Sequence, residues 1–111
     1  MVKEEQMPLF KRVCDFALRG FPAREDASKA KDITGMIFIN TYTNSDMRWI
    51  ALYEGERRIV GNRDTPEVCW ICIGENGHIK SIAARHIRKM KEVPDFRFWD
   101  NVSFDEIEIN I

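Results

Sequence analysis

The feature that most constrains the fold is a series of short apolar runs, separated by turn residues, that begins at Ile33. The runs are rich in β-branched and aromatic residues, which favours strands. The turns between them include Gly55 and the Asn76-Gly77 pair, and Asn-Gly is the strongest short signal for a hairpin. Consecutive short strands with tight turns predict a small, bent antiparallel sheet. The predicted strands cover residues 35–43, 47–54, 57–60, 67–73 and 78–83.

An amphipathic helix is predicted ahead of these strands, within residues 1–20. Apolar residues recur at intervals of three and four, which is the pattern of one helix face. Pro8 suits the first helical turn, and Gly20 suits the left-handed residue that often ends a helix. We expect this helix to pack on the sheet. Its apolar positions are Met7, Phe10, Val13, Cys14, Ala17 and Leu18.

The secondary structure predicted for residues 84–111 is less definite. Residues 84–91 fit two alternatives: a cationic helix that starts at an N-cap on Ser81, or one turn at Ala84 and Arg85 followed by a short strand. The acidic tail, residues 92–111, alternates apolar and polar residues from Glu106 onward, which predicts a last strand. With 111 residues the chain is long enough for one domain with its own core. The parts of that single domain, residues 1–111, are the helix at 1–20, a sheet or barrel at 33–91 and the tail at 92–111.

The run from Ile33 to Met90 resembles an SH3-like barrel in the order of its elements. In that class a stretch such as GHIKSIAARHIRKM, residues 77–90, forms a hairpin arm, one helical turn and the closing strand. The resemblance covers about half of the chain and implies a fold alone, because such barrels serve many functions. The predicted class is therefore α+β: an N-terminal helix packed on a small bent antiparallel sheet, with an SH3-like barrel as its closed form.

Cys69 and Cys72 form a C-x-x-C pair, which can signal a redox or zinc site. A thioredoxin-like pair lies at the start of a helix, but strand-forming residues flank this one. Residues three apart on a strand point to opposite faces, so we expect the two thiols to diverge and to be structural. A zinc site needs about four ligands, and the remaining cysteine and two histidines match no zinc spacing. We therefore predict no metal and no cofactor.

The location of the protein is predicted from its thiols, its N-terminus and its uncharged segments. An odd number of cysteines, three, and an N-terminus that begins with acids where a signal peptide has cations favour a reduced, cytoplasmic protein. The longest uncharged stretch, Ile33–Ser45, is too short and polar to span a bilayer. We therefore predict a cytoplasmic protein without a membrane partner.

Charge is unevenly distributed although the net charge is −1. Residues 80–91 carry five Lys or Arg and no acid, whereas the tail carries one Arg and six acids. This basic segment fits two alternatives: a patch that binds phosphates or nucleic acid, or a set of cations that pairs with the tail. The cations chosen as candidate binding residues are Lys80, Arg85, Arg88 and Lys89.

Two aromatic residues are further candidates. If residues 47–54 alternate strictly, Trp49 and Tyr53 share one face while Ile50 and Leu52 point to the other. This arrangement predicts a partly exposed Trp49–Tyr53 surface, which would suit stacking on bases or a hot spot for a protein partner.

The sequence favours a binding module over an enzyme. Neither a nucleophile elbow nor a glycine-rich phosphate loop is present, and two histidines do not define a catalytic triad. We expect a non-enzymatic protein-interaction factor with a regulatory or inhibitory role. Its size and unpatterned charge resemble accessory proteins of phages, including inhibitors of host defence. The alternative is nucleic-acid or nucleotide binding through the basic segment, and oligomeric state stays open.

Overall fold

A computed structural model of the chain describes residues 4, 7–24, 32–40, 47–58, 66–87, 90, 92–93 and 108–109. Two helices and five strands occupy these ranges, and the five strands form one sheet in the order β1-β2-β3-β4-β5. The predicted α+β class with a helix and an antiparallel sheet is confirmed. The elements are α1 (Met7–Ala17), β1 (Ile37–Ile39), β2 (Arg48–Arg58), β3 (Pro66–Gly74), β4 (His78–Ala83), α2 (Ala84–Ile87) and β5 (Glu108–Ile109).

The last strand departs from the antiparallel prediction. β1 to β4 pair antiparallel, but β5 lies parallel to β4, with Glu108 opposite His78. A parallel pair needs a long crossover between its strands, and residues 84–107 supply one. The predicted strand in the tail is thus present, but its direction was wrong.

Helix α1 buries three residues of the face that the sequence predicted, but its C-terminal end lacks the predicted left-handed Gly20 cap. Phe10, Val13 and Ala17 are buried. Beyond the helix, the N–H groups of Gly20 and Phe21 both donate to the carbonyl of Ala17, at 3.0 and 2.8 Å. Among the described glycines, positive φ occurs at Gly35 and Gly77, so Gly20 is not the left-handed cap that the sequence suggested. The helix ends instead in tight turns whose N–H groups share the Ala17 carbonyl as their acceptor.

Gly55 lies inside a strand and is not a turn. β2 runs through it to Arg58, so the separate strand predicted at 57–60 was wrong. Gly55 pairs with Cys69 on one side and bridges Ala23 on the other. A Cβ on Gly55 would meet the Ile71 side chain at 3.1 Å. The absence of a side chain at Gly55 therefore lets Ile71 pack closely against this strand. From the sequence alone, the same glycine suggested that the strand ended there.

Each face of the sheet carries its own apolar cluster. The first lies under α1 and includes Val13, Leu52 and Ile71, whereas the second, on the opposite face, includes Phe38, Trp49 and Trp70. Alternate residues of β3 feed the two clusters, as the two-residue period of a strand requires. Because both faces are buried, β3 is a nearly continuous apolar run and not an alternating one.

Segment 84–91 begins as the single helical turn α2, Ala84–Ile87. The turn at Ala84 and Arg85 agrees with the second alternative, but His86 and Ile87 are helical where that alternative placed a strand, and Ser81 lies in β4 and is not the N-cap of the first alternative. The chain then returns to β1: the Val93 N–H donates to the Ile37 carbonyl at 2.8 Å, and Glu92 bridges Phe38. This contact is an isolated bridge. The described strands leave the sheet open, so the closed SH3-like barrel is not confirmed.

Candidate functional site

Trp49 does not form an exposed aromatic surface. Its side chain is 3% exposed and belongs to the second cluster. Gly74 lies opposite it on β3, and a Cβ there would come within 3.2 Å of the indole ring. A base could not stack on this ring without opening the cluster, so the premise that Trp49 is partly exposed was wrong.

Tyr53 lies on the other face of the sheet from Trp49. The register of β2 on β3 shifts after Ala51, so that Ala51 faces Cys72 while Tyr53 faces the next residue back, Ile71. The extra residue, Leu52, forms a β-bulge. Because of this bulge, Tyr53 points to the face opposite the one that strict alternation from Trp49 predicts. Tyr53 therefore packs against the cluster under α1, and the predicted Trp49–Tyr53 face does not exist.

Tyr53 is held beside α1 by a hydrogen bond and by packing. Its hydroxyl donates to the Phe21 carbonyl, just beyond the end of α1. Burial raises the pKa of the Tyr53 hydroxyl, and the nearby thiols of Cys14 and Cys69 raise it further. Tyr53 therefore stays neutral at physiological pH and presents a half-buried ring edge next to the helix.

The half-buried Lys80 side chain contacts the buried indole of Trp49. Its Nζ lies 5.0 Å from the centre of the indole ring, which is cation–π distance. Lys80 pairs with Cys72 on β3, and Cys72 in turn faces Ala51 of β2, so the sheet register brings lysine and indole together. The Trp49 Nε1–H is buried and has no hydrogen-bond partner. In this arrangement the Lys80 ammonium lies over the indole ring of Trp49.

The other cations of the basic segment are only partly within the described residues. Arg85 is exposed on α2, while Arg88 and Lys89 lie outside the described residues. The end of the acidic tail runs beside the start of the segment, because β5 pairs with His78 and Ile79 of β4. The structure thus brings Lys80 to Trp49 but does not bring Tyr53 to either.

The C-x-x-C pair diverges as predicted. Cys69 lies in the cluster under α1 and Cys72 in the cluster on the opposite face. All three cysteines are free thiols. Burial raises the pKa of Cys72 well above its usual value and that of Cys14 to about 11, so both are protonated at neutral pH. Among the described residues, no three His, Cys, Asp or Glu side chains are grouped as a metal site requires.

One flank of α1 exposes large apolar side chains. Met7 is 46% exposed and Leu18 44%, although the sequence pattern placed both on the buried face. Positions 7, 11, 14 and 18 fall within roughly 60° of one another around a helix. Leu18 is the first residue after α1, but its N–H still makes the helical bond to the Cys14 carbonyl, at 3.0 Å. We call these four residues, Met7, Lys11, Cys14 and Leu18, the α1 flank. Lys11 is exposed and Cys14 half-buried, so the flank is an apolar strip with a cation in it.

Tyr53 lies near the α1 flank, since Tyr53 and Cys14 both pack against the first cluster. Further round the helix, Arg12 and Arg19 are exposed, and Arg19 lies 5.4 Å from the centre of the Phe16 ring. Lys11 and Arg12 lie in α1 with one acid, Asp15, while exposed Glu4 precedes α1 and exposed Arg19 follows it. Its outer surface is therefore cationic beside an apolar strip. No signal in the sequence indicated this flank, because Met7 and Leu18 repeat at the same intervals of three and four as the buried residues of α1.

Comparisons with known proteins give no relative for this chain. No family model, no curated protein and no solved structure matches it. Within the described ranges, no helix is long and apolar enough to span a membrane.

Proposed function

We propose that this protein is a small, non-enzymatic interaction module with a regulatory or inhibitory role in the cytoplasm. It binds a protein partner through the α1 flank and the neighbouring edge of Tyr53. One observation carries the proposal: the large apolar side chains that the described residues expose, Met7 and Leu18, lie on the same flank of one helix. Exposed apolar residues grouped beside a half-buried tyrosine are typical of a protein-binding surface.

The state of the reactive groups supports binding over catalysis. Cys14 and Cys72 have raised pKa values, and a thiol must lose its proton to act as a nucleophile or a metal ligand. Free thiols on opposite faces of the sheet, where Cys69 and Cys72 cannot pair, also fit a reducing compartment.

The finer fold assignment belongs to this proposal. The antiparallel order of β1 to β4, the single turn α2 and the return of Val93 to the Ile37 carbonyl support an SH3-like barrel that is completed by a short bridge. In this arrangement the second cluster is the barrel interior and α1 is added on the outside. The barrel would thus hold α1 with its flank facing solvent.

The test compares capture of a protein partner by three forms of the tagged chain, with and without nuclease. The first is wild type, the second Leu18→Asp, and the third Asn76→Asp, which adds the same charge at the exposed β3–β4 turn. We expect wild type and N76D to retain the same partner after nuclease, and L18D to lose about tenfold in retention. Circular dichroism shows whether each variant is folded. A partner that L18D retains fully, or that nuclease removes, contradicts the proposal.

A second candidate is phosphate or nucleic-acid binding through the basic segment. The specific observation is that Arg85 is exposed on α2, beyond the residues of β4 that β5 covers. For this function, changing Arg85 and Arg88 together to Ala should weaken binding to a labelled oligonucleotide and make its salt dependence shallower. Unchanged affinity in that double variant rules out this patch.

A further inference from the structure

We propose that the segment which docks on the α1 flank is an acidic amphipathic helix of another protein. This inference rests on the proposed function and specifies the chemistry of the partner. It is carried by three features of the described residues: the spacing of the exposed apolar side chains, the sign of the charge around them, and the small size of the strip.

The spacing fits a helix laid along α1. Met7 and Leu18 are eleven residues apart, which places them about 16 Å apart and only about 20° apart around the helix axis. Half-buried Cys14 lies between them. A second helix that lies along this line meets it with residues at i, i+4, i+7 and i+11, which is the usual pattern of a helix on an apolar strip.

The charge favours an acidic partner. Lys11 lies within the strip, and Arg12 and Arg19 are exposed on its outer side, so that three cations stand against two described acids, Glu4 and Asp15. Carboxylates that flank the apolar residues of the partner would meet these cations. Exposed ion pairs contribute about 0 to 1 kcal/mol each, so the apolar contacts supply most of the affinity and the charges select the partner.

A second copy of this chain is a poorer occupant. A two-fold interface places the same patch on both subunits, so the cations of one flank would oppose those of the other. A stable interface also buries roughly 800 Å² on each partner, far more than two half-exposed side chains supply. A helix with opposite charge avoids the first problem and can extend its contacts to Tyr53.

The test uses two synthetic peptides of about 20 residues that share Leu at i, i+4, i+7 and i+11. Glu flanks the leucines in one peptide and Lys in the other. Binding of each labelled peptide to the full chain is measured by fluorescence anisotropy at about 50 mM salt, where screening is weak. We expect the acidic peptide to bind about tenfold or more tightly than the basic one. The L18D variant should lose this binding, N76D should keep it, and Lys11→Glu should reduce or reverse the preference.

Several results overturn the inference. These are equal binding of the two peptides, binding of neither, or binding of the acidic peptide that L18D and K11E leave unchanged. Dimerisation of the chain in sedimentation that L18D abolishes would place a second copy on the flank and also overturn it. If the affinity capture above still shows a protein that L18D loses, the flank binds a partner of other chemistry and the proposed function stands. If capture and peptides both fail, the proposed function fails as well.

Discussion

Replacing Trp49 by Phe should not lower the free energy of unfolding appreciably, even though this indole is buried. Trp49 is 3% exposed, and its Nε1–H is buried without an acceptor. A buried donor without a partner costs free energy that the unfolded chain does not pay, because water bonds the donor there. Phenylalanine removes that donor and keeps an aromatic ring in the cluster.

Two effects of opposite sign determine the change in the free energy of unfolding: the loss of packing and the removal of the unpaired N–H. A phenyl ring leaves a void of about 40 Å³ where the indole stood, which costs about 1 kcal/mol at roughly 24 cal/mol per Å³. Lys80, 5.0 Å from the ring centre, keeps a weaker cation–π contact with Phe, for a further loss below about 0.5 kcal/mol. Removing the unpaired N–H restores about 1 to 3 kcal/mol. The net change should therefore lie between a loss of about 0.5 kcal/mol and a gain of about 2 kcal/mol in the free energy of unfolding.

Trp70→Phe is the matched control. Trp70 is also 3% exposed and belongs to the same cluster, but its indole N–H is not both buried and unpartnered. The same loss of volume should cost about 1 kcal/mol there, and no unpaired donor is removed to offset it. Urea unfolding followed by circular dichroism at a backbone wavelength measures both variants without relying on tryptophan emission. If W49F loses as much stability as W70F, the Trp49 N–H has an acceptor in solution and the reasoning fails.

The other predictions concern pH, packing and metal binding. Burial raises the pKa of Cys14 from 9.0 to about 11, so its stabilising contribution is complete below pH 9 and lost as pH rises towards 11. The raised pKa of Tyr53 acts in the same direction from pH 10, so stability should begin to fall above pH 9 and fall more steeply above pH 10, and C14A and Y53F should each flatten the fall. Val13→Ala, at a fully buried site, should cost about 1 to 2 kcal/mol in urea unfolding, whereas Leu18→Ala should cost under about 0.5. Cys72→Ala should leave the fold intact at a modest packing cost, and elemental analysis should find no stoichiometric zinc; zinc at one per chain would contradict the structural role of the cysteines.

Much of the framework could be predicted from local pattern. The apolar repeat of three and four residues predicted α1, because a helix must bury one face. Asn76-Gly77 predicted the β3–β4 hairpin, and Gly77 indeed takes φ of 85° there. The divergence of Cys69 and Cys72 followed from the two-residue period of a strand. Each of these depends on residues close together in the chain.

The candidate site could not be predicted in the same way. The helical repeat placed Met7 and Leu18 with the buried residues, but how much of the arc the sheet covers depends on how α1 lies across it. Gly55 was predicted to be a turn because the residue that requires a glycine there, Ile71, lies on a different strand and is not apparent from the local sequence. The direction of β5 depended on the path of the tail around the sheet.

The sequence by itself determined that a helix precedes an antiparallel sheet, that Phe10, Val13 and Ala17 lie on the buried face of α1, and where β3 turns into β4. Tertiary structure alone decided the surface. A bulge at Leu52 moved Tyr53 from the side of Trp49 to the side of α1, and the second cluster closed over the indole that had been expected at the surface. The physical reason is that periodicity reports the alternation of side chains along one segment. A register shift and the coverage of a face are set by contacts between segments far apart in the chain.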